Sequence, residues 1–264
     1  MGTGRPPGNY NPHDKNGRFT KGQQYVDLEP NKDSNIARNR AEADERNGKS
    51  SLTVINSDKL NKQVLEDSLK KVEELQKELP QVELLIKEYN GKGTIIKAEG
   101  FLPGVTRHTS HTADGDTDPK TGIIGLNSAM RLSKENSTED IIKACNKSGT
   151  FGKYGRALSS TDPRHTLVHE YGHIIQLALC CKNNKNKLGI LIDYDNRDTV
   201  GDMISVACHK TGVSVKEFQK SLSSYAHTHL GETFSEAIAN AVLAPQEANK
   251  TSLELWKMVK KQLG

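Results

Sequence analysis

The stretch "LVHEYGHII", residues 167–175, decides how the rest of this chain is read. His169 and His173 are four residues apart, and Glu170 directly follows the first. In an α-helix, residues i and i+4 lie one turn apart, about 6 Å along the axis and on one face. Both imidazoles can then point at one ion. Glu170 lies about 100° around the helix from His169, too far to ligate comfortably but near enough to hold a water beside that ion. Two ligands and one base is the division of labour that metal-assisted hydrolysis requires. The alternative is a surface helix with two solvated histidines. With nine histidines in the chain, a chance HExxH turns up in roughly one or two of every hundred such sequences.

Two features weigh against chance. Leu167, Val168, Tyr171, Ile174, Ile175 and Leu177 surround the motif, so the helix should be central rather than peripheral. Gly172 sits mid-helix at about 1 kcal/mol relative to Ala, which is easiest to understand if another element packs closely there. Upstream, Thr161 or Asp162 can cap the helix, and Pro163 suits its first position.

A catalytic zinc site typically has three protein ligands and an open position for water. The segment "SYAHTHLGETFSEAIANAV" (224–242) offers Glu232 and Glu236, again four apart, at the start of an apolar helix. Carboxylates on an apolar face need a cation or hydrogen-bond donors. An acidic first turn that complements the helix dipole accounts for them equally well.

Taken together, HEYGH, then Ser224-Tyr225, then Glu232 within "ETFSEA", resemble the gluzincin metallopeptidases of the anthrax lethal factor type. The resemblance covers roughly residues 93 to 245 and is specific only in the two motifs. It implies an α+β, zincin-like metallopeptidase domain with a small mixed sheet, an HExxH active-site helix and a mostly helical C-terminal part. It also implies a Zn2+ cofactor bound by His169, His173 and Glu232, with Glu170 as general base. By the same resemblance Tyr225 donates its hydroxyl to the oxyanion and Glu236 orients a histidine ligand. "GIIGLNS" (122–128) becomes the sheet-edge strand along which an extended peptide substrate lies. His227 and His229 depart from the family pattern and could take over oxyanion stabilisation or compete for the metal.

The remaining sequence sets the frame. Residues 1–50 are rich in Gly, Pro, Asn and charge, so they bury too little surface to offset ordering entropy, and we expect an extended or disordered tail. "GRFTKGQ" within it is similar to segments of many phage-encoded proteins, which makes a phage origin, virion association and a phage or host protein partner hypotheses. Residues 51–264 should form one domain: an N-terminal helical part (51–92), the core (93–245) and a C-terminal helix (246–264). "SLTVINS" reads as a short strand. Leu65, Leu69, Val72, Leu75 and Leu79 recur at helical spacing up to Pro80, which should end or kink that helix. A second helix should stop at Asn90-Gly91. "GTIIKAEGFL" and "GIIGLNS" read as strands around a flexible polar loop, 107–122. That loop carries His108, His111, Asp114, Asp116 and Asp118, but Pro119 and Gly125 occupy the places where a calcium loop needs Gly and Glu. Helices are expected at 137–149, near 200–210, after the capping box Ser214-x-x-Glu217, and at the C-terminus, with a polar segment following the HEYGH helix.

Composition bounds function only loosely. The chain has 264 residues, 34% of them apolar, with 37 Lys+Arg against 33 Asp+Glu and a mean hydropathy of −0.68. Mixed charge gives no support to a nucleic-acid partner. No run approaches 18 apolar residues and the N-terminus lacks an apolar signal region, so we expect no membrane span and synthesis in the cytosol without a signal peptide. Cys145, Cys180, Cys181 and Cys208 form no regular framework. The competing reading of function is a non-catalytic structural or adaptor protein, for example of a virion, that retains the fold.

Overall fold

The computed structural model describes residues 52–99, 114–128, 131–146 and 162–264. The expected tail (1–50), His108, His111, Thr161 and the side chain of Cys145 lie outside the described residues. The fold is α+β. A short strand β1 (Thr53–Ile55) and a 3-10 turn (Ser57–Lys59) lead into helices α1 (Lys62–Glu78) and α2 (Pro80–Asn90), followed by strands β2 (Ile95–Glu99), β3 (Gly115–Asp118) and β4 (Ile123–Asn127). The rest is helical: α3 (Thr138–Asn146), α4 (His165–Asn183), α5 (Lys187–Asn196), α6 (Asp198–Thr211), α7 (Val215–Leu222), α8 (Leu230–Leu243) and α9 (Lys250–Leu263).

Local chemistry sets most of these boundaries. Asn61 caps α1 by accepting from the Val64 amide at 3.0 Å, and α1 buries Val64, Leu65, Val72 and Leu75. Pro80 ends α1 and opens α2, where its missing N–H is no loss. Gly91 then closes α2 in the left-handed region at φ 75°. The Ser214–Glu217 capping box is formed in both directions.

The four strands form one mixed sheet in the order β1-β2-β4-β3. β1, β2 and β4 are parallel, with Thr53 opposite Ile95 and Ile95 opposite Ile123, whereas β3 runs antiparallel to β4 with Thr117 opposite Ile124. Two expectations are corrected here. "GIIGLNS" is an interior strand, and among the described residues β3 is an edge strand. β3 falls inside the stretch expected to be a flexible loop. It is held by a turn that the sequence disguises: the Asp118 side chain accepts from the Lys120 amide at 3.0 Å and the Thr121 hydroxyl at 2.7 Å, and Gly122 supplies φ 67°. The strand itself, "GDTD", has no apolar alternation to announce it.

α4 is the axis of the domain. Every residue from His165 to Cys180 is buried, because α8, α2, α1, α5, α6 and β3 all pack on it. It begins two residues later than its cap signals implied. Asp162 accepts from the Arg164 amide at 2.8 Å and pairs with the Arg164 guanidinium at 2.6 Å, so the carboxylate is spent on a turn and Pro163 lies before the helix. The segment after α4, expected to be irregular, contains α5. Asn186 caps it through the Gly189 amide at 2.8 Å, and Ile190 and Leu191 anchor it in the core. Cys180, Cys181 and Cys208 are free thiols, and burial pushes the Cys181 pKa up to about 12. No helix among the described residues is long and apolar enough to cross a membrane.

Candidate metal centre

α4 packs against α8 with Gly172 directly facing Ser235. A Cβ there would lie 3.0 Å from the Ser235 Cα, so glycine is what lets the backbones meet. That contact sets His169 and His173 of α4 against Glu232 and Glu236 of α8. Glu232 Oε2 lies 3.0 Å from His169 Nε2 and 3.4 Å from His173 Nε2. Tetrahedral coordination at ~2.05 Å puts neighbouring donors about 3.3 Å apart, so the spacing fits an ion. His169, His173 and Glu232 have the donors to hold a metal ion, and so do His165, His169 and Glu236, one turn deeper on both helices.

Each histidine nitrogen has a defined neighbour. Nδ1 of His169 faces Glu236 Oε1 at 3.1 Å, and Nδ1 of His173 faces the Gln176 amide oxygen at 3.3 Å. On a metal ion both rings would keep the proton on Nδ1 and turn the Nε2 lone pair to the ion; where the raised pKa keeps His169 protonated, its Nε2 proton goes to Glu232 Oε2 at 3.0 Å. The Gln176 amide nitrogen in turn donates to the Tyr194 carbonyl at 3.3 Å. His165 Nε2 shares Glu236 Oε1 at 3.5 Å.

Burial makes these charges decisive. Glu236 is 0% and Glu232 8% exposed, and an unpaired carboxylate at such depth costs several kcal/mol. Burial works to raise the Glu232 pKa, but His173 and His169 outweigh it and hold the carboxyl well below its ordinary range. Glu236 is likewise pushed up by burial and brought low by His165 and His169. Burial works to lower the His169 pKa, yet Glu232 and Glu236 hold it well above the ordinary value, and Glu232 raises His173 in the same way. The pocket thus favours positive charge at one point.

Glu170 behaves differently. Burial raises its pKa, and the charges of His169 and His173 and the Thr117 hydroxyl only partly offset that. Its Oε2 accepts from Thr117 Oγ1 of β3 at 2.8 Å. The Tyr225 ring, half-buried, stands 5.8 Å from the His169 ring, centroid to centroid. His229 is the N-cap of α8: its Nδ1 accepts from the Glu232 amide at 3.2 Å. With its pKa lowered by burial to about 4, the neutral ring keeps its proton on Nε2, which faces Glu232 Oε1 at 3.4 Å. His227 is exposed and belongs to neither donor set. His165, Gln176 and Thr117 were not singled out by sequence reasoning. The first two carry the signal of helical spacing, four residues before His169 and three after His173. Thr117 carries none, since its strand reads as loop.

The signs of these shifts predict how metal-stripped protein responds to pH. Glu232 titrates below its ordinary 4.5, so it contributes stability above about pH 4.5 that is lost as pH falls through its folded pKa. His169 titrates above 6.5, so its contribution is complete below about pH 6.5 and is lost as pH rises through its folded pKa. Glu236 acts with Glu232 and His173 with His169, while Glu170, raised, opposes them above pH 4.5. Chelator-treated protein should therefore melt highest between about pH 4.5 and 6.5, and Glu232→Gln should remove most of that maximum. A melting profile with no maximum in this window would contradict the assignment.

Comparison of the chain with protein-family models, with curated proteins and with solved structures returns no match. What fold and site define is an α+β protein with a buried His/Glu centre able to hold a metal ion.

Proposed function

We propose that the chain is a zinc-dependent metallopeptidase of the gluzincin type, with a zincin-like fold, that hydrolyses peptide bonds in protein or peptide substrates. The observation that carries this reading is Glu170: beside the converging donors of His169, His173 and Glu232 stands a buried carboxylate with a raised pKa, and a purely structural metal site has no need of it. Zinc is the ion that a two-histidine, one-carboxylate set with an open position suits best. When bound, it supplies Lewis acidity that polarises a peptide carbonyl and acidifies water.

The chain's own residues do the rest. His169, His173 and Glu232 hold the ion, while Glu236 and Gln176 fix the two rings by their Nδ1 protons. Glu170 takes a proton from the attacking water and returns it to the leaving amine, a task for which a carboxyl pKa raised toward neutrality is suited. Tyr225, beside His169, donates its hydroxyl to the developing oxyanion, a contribution of about 3 kcal/mol for one donor. His229 caps the helix that carries Glu232 and keeps that carboxylate in place. The side of β3 away from β4, which pairs with no other strand among the described residues, is where an extended substrate can add as a further strand beside Glu170.

The test is metal analysis of the wild type beside Glu232→Ala. The wild type should bind one zinc, and Glu232→Ala should weaken zinc binding by at least about 100-fold, the upper end of what even a supporting residue costs. Equal zinc content in the two proteins would sink Glu232 as third ligand.

A further inference from the structure

β3 is tied to α4 by two polar contacts one helical turn apart. At its start, Asp114 pairs with the buried Arg131 at 3.1 Å, whose guanidinium also donates to the Thr166 hydroxyl at 2.6 Å. At its middle, the Thr117 hydroxyl lies 2.8 Å from Glu170 Oε2 and 3.1 Å from the Glu170 backbone oxygen. Between them, Gly115 leaves the space that the Glu170 side chain fills: a Cβ at 115 would lie 2.8 Å from Glu170 Cγ and 2.9 Å from Oε1. Arg131 anchors the strand, Gly115 admits the carboxylate and Thr117 holds one of its oxygens.

Resting on the peptidase reading above, we propose that Thr117 is a positioning residue for Glu170. Its hydroxyl fixes Oε2 and so selects the rotamer in which Oε1 takes the proton from water. Glu has three rotatable side-chain bonds, and a carboxylate without a fixed partner loses the near-attack geometry on which proton transfer depends. A hydroxyl proton given to a charged acceptor at 2.8 Å is among the stronger side-chain contacts. The strand that borders the substrate path is therefore also the strand that aims the base.

The test uses the full-length, zinc-loaded protein. Thr117→Val keeps the shape of the side chain and removes the hydroxyl, and Thr117→Ser restores it. Expected for Thr117→Val is unchanged zinc content, KM within about twofold of wild type and kcat lower by about 10- to 100-fold, less than the roughly 10²–10⁴-fold that loss of the base itself would cost. Thr117→Ser should recover kcat to within about threefold, and Gly115→Ala should lower kcat like Thr117→Val. A readout without turnover is the double-mutant cycle of Thr117→Val with Glu170→Ala in urea denaturation, where the two midpoint shifts should be non-additive. Additive shifts, or a Thr117→Val enzyme with wild-type kcat, overturn the role of Thr117. A wild-type protein that binds zinc and cleaves no peptide overturns the peptidase reading and, with it, Thr117's part in catalysis, whatever the cycle shows.

Discussion

Glu170→Gln is expected to lower peptide cleavage by about 1,000-fold while leaving bound zinc unchanged. The amide has the shape of the carboxylate, and its oxygen can still accept from Thr117, so the side chain stays where it is. What it loses is the ability to take a proton, an effect of about 10²–10⁴ in rate, or roughly 3–5 kcal/mol of barrier. The three proposed ligands, His169, His173 and Glu232, are untouched, so the metal content should not move. Stability should move the other way. Burial disfavours the ionised Glu170, as its raised pKa records, and a neutral amide removes that strain; the variant should melt at or above the wild-type temperature. A residue whose loss stabilises the protein and abolishes activity is one kept for chemistry. If wild type and Glu170→Gln both bind zinc and neither cleaves peptides, the adaptor reading takes the peptidase's place.

The parts of the site carried by helices were legible because one turn of helix brings i and i+4 together whatever the fold around it. His169 with His173 and Glu232 with Glu236 are such pairs, and Gly172 marked in advance the place where the helices meet. The sheet was not legible in that way. Which strand lies at an edge depends on which strands pair, and neither "GIIGLNS" nor "GDTD" encodes its neighbours in its own periodicity. β4 ended inside the sheet because β2 and β3 both bond to it. β3 formed from polar residues because Asp118 and Gly122 turn the chain and Thr117 finds an acceptor on α4. α5 escaped notice for a related reason: Ile190 and Leu191 are its buried apolar residues, too few to show a period. Side chains that support the site across elements, such as Thr117 and Arg131, become visible only once the elements are placed.

Gly172→Val should destabilise the domain by about 3 kcal/mol and weaken zinc binding at least about tenfold, the upper part of the overpacking range followed by the cost of a disturbed ligand shell. The new Cβ would meet the Ser235 Cα at 3.0 Å and its Cβ and Oγ at 3.1 Å. The nearest of these is backbone in a fully buried turn, not the tip of a side chain that can swing aside. α8 must therefore shift, and Ser235 stands between Glu232 and Glu236, so both carboxylates shift with it. Separations of 3.0 and 3.4 Å between Glu232 and the two histidines leave little tolerance: moving one donor by an ångström takes it out of coordination. At roughly 2–4 °C per kcal/mol for a domain of this size, the melting temperature should fall by about 6–12 °C. Gly172→Ala brings the same Cβ against Ser235 without the two further methyls of Val, and it recovers about 1 kcal/mol of intrinsic helix stability, so it should lose melting temperature and zinc affinity in the same direction as Val but by less. A Val variant with unchanged melting temperature and zinc affinity would show that the close helix crossing does not hold the site together. Loss of both in parallel would show that the glycine inside HEYGH is as much a part of the metal centre as the histidines on either side of it.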